Sequence, residues 1–246
     1  MLKIITIITK FILVTLTALL FGSCNYTINS KSIKGSGQVT TENRIVAGDF
    51  KSIEVSNTIN LFVEQADKKE IIVEADDNLQ NHITTKIQNG VLIIACDYNS
   101  FIDIASKKVI VRMPIIEELW ASSASSITSI NTLKGENINL RASSAANIDV
   151  KIKSDNISSK SSSGSTISMD GMALSLEAVA SSGSNINANE LLANEVTAKS
   201  SSGSSIDVHP IVSLKAKASS GSSIEYNNTP QSLEKQSSSG GSISRG

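Results

Sequence analysis

In the second half of the chain, apolar positions recur in step with short strings of small polar residues. SSASSI at Ser122–Ile127 returns as SSAANI (Ser143–Ile148), SSGSTI (Ser162–Ile167), SSGSNI (Ser181–Ile186), SSGSSI (Ser201–Ile206 and Ser219–Ile224) and SSGGSI (Ser238–Ile243), and successive closing isoleucines stand 18 to 21 residues apart. Ten residues before them stand Glu117, Ile138, Ile157, Leu176, Val196, Leu214 and Leu233. Six residues before them the track is always small: Ala121, Ala142, Ser161, Ala180, Ser200, Ala218 and Ser237. Between the tracks the period is two, as in Leu214-Lys215-Ala216-Lys217-Ala218, with apolar and small residues on one face and charge on the other. Each unit therefore reads strand, corner, strand. A unit this short cannot close its own core, but units stacked in parallel at about 4.8 Å bury continuous apolar columns. A flexible Ser/Gly linker would keep no such columns. The pattern predicts an all-β parallel β-helix of about seven coils over residues 115–246. At the corners Gly suits a sharp bend and hydroxyls can satisfy turn amides. Ala124 and Ala145 stand where later corners have Gly, which leaves a left-handed backbone there open.

Upstream, residues 39–114 alternate as short β-branched strands: Ile53-Glu54-Val55, Ile59–Val63, Ile71–Ala75 and Val91–Ala95. Asn89-Gly90 predicts a tight hairpin, and Asp76–Lys86 has room for a single helical turn. This region is expected to cap the open end of the array, continuous with it as one domain.

The first 23 residues have the layout of a signal peptide: Lys3 and Lys10, an uncharged apolar run from Phe11 to Phe21, then Gly22-Ser23 before Cys24. The run is shorter than the roughly 20 residues that span a bilayer. Small residues followed by Cys suit lipoprotein processing, in which the Cys24 thiol takes a diacylglycerol, although Phe21 stands where an aliphatic residue is usual. The competing readings are a secreted protein cut nearby and, behind it, an uncleaved membrane anchor. Residues 24–38 are polar and are expected to tether the lipid to the first strand. The implied address is the cell envelope, as an outer-membrane lipoprotein held through Cys24. No acidic cluster follows Cys24, so surface-exposed and periplasm-facing orientations both stay open.

Composition narrows the partners. A net charge of −1, from 22 basic and 23 acidic side chains, gives no footprint for nucleic acid. Cys96, ending the run VLIIAC, reads as a small buried residue rather than a reactive thiol. His82 and His209 have no Cys or carboxylate spacing that suggests a metal site. Ser232-Leu233-Glu234-Lys235 fits Ser-x-x-Lys, yet Leu233 belongs to an apolar column and Lys235 to the alternation beside it. Asp76-Asp77 and Glu117-Glu118 are paired carboxylates, but neighbours in a strand point to opposite faces. Gly35-Ser36-Gly37 lacks the strand, helix and third glycine of a nucleotide loop. No catalytic residue, metal or cofactor is expected.

From about Gly35 onward the chain resembles the auto-transporter adhesin, head GIN domain family of exported bacterial proteins, found especially in Bacteroidetes. The resemblance lies in FKSIEVSNTINLFVEQ (Phe50–Gln65), VEADDNLQNHI (Val73–Ile83), the repeated serine corners and the closing SSIEYNNTPQSLEKQSSSGGSIS (Ser222–Ser244). Of the family's Gly-Ile-Asn, Thr58-Ile59-Asn60 keeps the last two residues. The resemblance implies a right-handed parallel β-helix and an adhesin-like role without a defined ligand. The expected function is a non-catalytic envelope protein binding a glycan or protein. A periplasmic assembly role with an envelope partner is the alternative, and a polysaccharide-active β-helix enzyme a remote one.

Overall fold

The computed structural model describes residues 8–12, 14–15, 31–45 and 47–246. The chain separates into two units, residues 1–31 and 32–246. In the first, residues 8–12 and 14–15 are helical. Among the described residues no helix is long and apolar enough to cross a membrane. Cys24 and most of the expected signal segment lie outside the described residues.

The second unit opens with β1 (Ser32–Lys34), β2 (Val39–Asn43), β3 (Ser52–Val55), β4 (Asn60–Gln65) and β5 (Glu70–Asp76). A 3-10 turn at Asp77–His82 leads to β6 (Ile83–Gln88), β7 (Val91–Cys96), β8 (Ser100–Ile102) and β9 (Lys107–Met113). The array proper holds β10 (Glu118–Ala121), β11 (Ser126–Ser129), β12 (Leu133–Ala142), β13 (Asn147–Ser161), β14 (Thr166–Ala180), β15 (Asn185–Ser200) and β16 (Ser205–Ser219). It ends with β17 (Ser223–Tyr226), β18 (Ser232–Ser238) and β19 (Ser242–Arg245).

The columns read from the repeat are the observed register. Ile138, Ile157, Leu176, Val196, Leu214 and Leu233 are successive parallel partners, as are the seven closing isoleucines. Ile127, Ile148, Ile167, Ile186, Ile206 and Ile224 are fully buried. The molecule is a parallel β-solenoid of about seven turns with an N-terminal β region. Where Glu117 breaks the apolar track, Ile116 is buried instead and Glu117 meets Lys51 at 2.7 Å.

Parallel stacking also runs upstream. β3 and β4 pair with β10 and β11 on one side and with β7 and β9 on the other, so Ser52–Gln65 is itself a coil. Antiparallel strands then cover the edges: β5 pairs with β9, β2 with β5, and β6 with β7. The β6–β7 connection is the expected hairpin, with Asn89 at φ 51° and Gly90 at φ 77°. The 3-10 turn fills the place of the expected helical turn and buries Leu79.

The second unit includes residues 32–38 of the segment expected to be a tether. β1 pairs with β8, and the buried carboxylate of Asp76 accepts N–H groups from Gly37 (2.9 Å) and Ala105 (2.8 Å). Buried acceptors need hydrogen-bond partners, and here that need fixes the Gly37 and Ala105 backbone against Asp76.

Candidate ligand-binding face

Every corner takes two consecutive left-handed residues. Ser163-Gly164, Ser182-Gly183, Ser202-Gly203 and Ser220-Gly221 have φ between 55° and 70°. Ser123-Ala124 and Ser144-Ala145 adopt the same geometry without glycine, as does Asn57-Thr58 in the upstream coil. One ladder of hydrogen bonds fixes them all. The amide of the second corner residue donates to the first corner carbonyl of the next coil, from Thr58 to Ser123 through to Gly221 to Ser239, at 2.9–3.1 Å. The serine that follows turns inward. Ser165 Oγ sits 2.8 Å from the Ala142 carbonyl of the preceding coil and accepts the Ser162 amide at 3.0 Å, and Ser184, Ser204 and Ser222 repeat the arrangement.

At the cap end the Asn57 carbonyl has no further coil to serve. The ammonium of Lys107 takes it at 3.2 Å, bonds the Thr58 hydroxyl and lies 3.2 Å from the centre of the Phe101 ring. Burial lowers the Lys107 pKa from 10.5 to about 8, against a smaller opposing effect of Cys96.

With the corners fixed, the strand leading into each corner presents one outward residue per coil at a constant height. Trp120, Arg141, Lys160, Val179, Lys199, Lys217 and Gln236 are register partners in that order. The Arg141 guanidinium lies 4.9 Å from the Trp120 ring centre and 3.6 Å from Glu118. Trp120, Arg141, Lys160 and Val179, together with Ser143, Ser162 and Ser181, line a depression of about 310 Å³. Lys199 pairs with Glu177 at 3.3 Å, whereas Lys160 and Lys217 form no ion pair among the described residues. On the cap side of Trp120, Glu54 is its register partner. Burial pushes the Glu54 carboxyl above its ordinary range, with Arg141 opposing and Glu118 reinforcing the shift. The face thus offers an aromatic plate, a basic stripe and a row of hydroxyls, in a chain of almost no net charge. The column was readable in the sequence as the residue seven before each closing isoleucine. The small and apolar tracks one and three positions away carry the stronger periodic signal and mask it.

The residues singled out for chemistry are scattered. Asp77 lies on the surface away from buried Asp76, and Glu117 and Glu118 go to Lys51 and Arg141 respectively. His82 packs edge-on against Tyr98 at 4.7 Å and lies 3.7 Å from Asp97; His209 Nδ1 is 3.1 Å from the Asn189 carbonyl. Lys235 sits over the Tyr226 ring at 4.6 Å. Cys96 is buried at the end of β7, and burial raises its thiol pKa. Among the described residues no three His, Cys, Asp or Glu side chains gather where a metal ion could be held.

A family model described as "Putative auto-transporter adhesin, head GIN domain" matches residues 49–230. The chain belongs to this family. Solved structures share the fold of this chain. A putative adhesin from Bacteroides fragilis superposes with a TM-score of 0.81 at 19% identity, over 87% of this chain and 99% of that one. A putative adhesin from Parabacteroides merdae gives 0.70 at 21%, over 88% and 100%. A protein described as a putative lipid binding protein, from Parabacteroides distasonis, gives 0.69 at 21%, over 88% and 100%. At these identities the likeness carries the fold alone. No curated protein sequence matches the chain.

Proposed function

We propose that this head GIN protein is a non-catalytic adhesin of the cell envelope, anchored through a lipid on Cys24, and that its ligand is an acidic glycan bound along the Trp120 face. The carrying observation is the coincidence of an indole plate with Arg141 and Lys160 on successive coils beside Ser143 and Ser162. A sugar ring stacks on an indole, hydroxyls bond to serines, and a carboxylate or sulfate meets guanidinium and ammonium. Repetition of the stripe at Lys199 and Lys217 gives a polymer further contacts at the coil spacing, each weak and together selective. The charged side chains lining the depression, Arg141 and Lys160, are both basic and complement a polyanion.

The test is a screen of residues 32–246 against acidic and neutral glycans and matrix proteins. This unit carries the buried core of the described residues, from Phe50 to Tyr226, and is expected to fold alone. Binding to uronate- or sulfate-bearing glycans is expected, weakened about tenfold or more in Trp120→Ala. A blank screen, or binding indifferent to Trp120, overturns the proposal. Protease shaving of intact cells gives the location. Loss of the solenoid while a periplasmic control survives supports surface display, and protection turns the search to a periplasmic partner.

A further inference from the structure

A second recess lies at the other bend of the coils, where β12 to β16 turn from one face to the next. Gly135, Ser154 and Ala173 are among its small lining residues, and it is an open groove of about 740 Å³, a volume within the range of small-ligand sites. Its walls are unusual for this molecule. Met172, Leu174, Leu192 and Ile211 are between 37% and 55% exposed, and all four line the same recess. Single apolar side chains on a surface need no explanation, but a contiguous strip does.

The strip has a polarity. Lys134, Lys153, Met172 and Leu192 are consecutive register partners, so one column passes from two ammonium groups to two apolar side chains. Neither lysine forms an ion pair among the described residues, although Lys34, Lys51, Lys69, Lys108 and Lys199 do. Asp155 is the one acidic side chain in the lining, leaving the charged end with an excess of one positive charge. At about 4.8 Å per coil, the four steps from Lys134 to the coil of Ile211 span about 19 Å. That length suits an extended acyl chain with its head at the lysines.

We infer that this recess binds one single-chain amphiphile with an anionic head, of the long-chain fatty acid type, its carboxylate at Lys134 and Lys153 and its chain along Met172, Leu174, Leu192 and Ile211. The site lies apart from the Trp120 depression and shares no lining residue with it.

The experiment titrates residues 32–246, free of any lipid modification, with a fluorescent polyene fatty acid below its micellar concentration, then displaces it with hexadecanoate. Saturable binding of one molecule per chain is expected, with hexadecanol a weaker competitor than hexadecanoate. Leu174→Asp puts a charge on an exposed apolar wall without touching the core and is expected to weaken binding at least tenfold. Lys134→Gln with Lys153→Gln is expected to abolish the preference for hexadecanoate over hexadecanol. Absence of saturable binding, a stoichiometry well above one, binding unaffected by Leu174→Asp, or association only with phospholipid vesicles would each overturn the inference. Circular dichroism melting of both variants separates loss of the site from loss of the fold.

Discussion

At the scale of single residues, the corners set the terms. Their left-handed pairs cost little at glycine and more at alanine. Ala145 adopts φ 62°, so Ala145→Gly is expected to raise stability by up to about 1 kcal/mol, read from the urea midpoint. Buried hydroxyls divide by partner. Ser165 Oγ bonds across coils, and Ser165→Ala is expected to cost about 1 kcal/mol; Ser159 Oγ is buried with no partner, and Ser159→Ala is expected to be neutral or stabilising. Equal losses from the two would contradict this division. Lys107 supplies a pH dependence. Between its folded value of about 8 and the ordinary 10.5, the unfolded chain binds more protons than the folded one. The Lys107 contribution to stability therefore rises with pH through that window, opposed above the ordinary thiol value of 9.0 by the raised Cys96. Lys107→Met is expected to make denaturation midpoints rise less with pH than in the unaltered chain. The sequence announced the corner glycines but not that the preceding serine is equally left-handed, because serine's local preferences do not point there. The neighbouring coil imposes that conformation through the amide-to-carbonyl ladder.

Among elements, interior coils are held from both sides and the last one from one side only. Ile186 is fully buried, whereas Leu233 in β18 is 39% exposed. In a stack whose stability sums over nearest neighbours, Ile186→Ala is expected to cost about 2–5 kcal/mol and Leu233→Ala well under half as much, both measured by chemical denaturation. Hydrogen exchange is expected to be fastest in β18 and β19 and slowest in β14 and β15. The interior coils were fully legible, since their spacing repeats along the chain. The coil formed by β3 and β4 was not. Its stacking partner in the array is far along the chain, Ser126 against Asn60 at a separation of 66 residues, because β5 to β9 intervene. Periodicity reports only those neighbours in space that are also neighbours in sequence. The same limit hid the ordering of residues 32–38, which depends on Asp76 and on β8 rather than on anything local.

For the whole molecule, the stacking that makes the core also makes the surfaces. A residue repeated at one offset becomes a stripe, and three kinds of stripe define this molecule: the apolar columns inside, the Trp120 column outside, and the lysine-to-leucine column at the second bend. The fold was therefore legible from periodicity, and the ligand faces were present in the same alignment but could not be ranked until burial and pairing showed which outward side chains stood together. Trp120 is the only tryptophan in the chain, so its emission reports on the proposed glycan face without a label. The most direct measurement is a fluorescence titration of residues 32–246 with uronate-bearing oligosaccharides of increasing length, with neutral oligosaccharides alongside. An acidic-glycan face predicts a saturable change in Trp120 emission for the acidic series, tightening with length and weakening with salt and in Arg141→Gln with Lys160→Gln. Emission unchanged by the acidic series, or changed equally by the neutral one, would contradict that assignment.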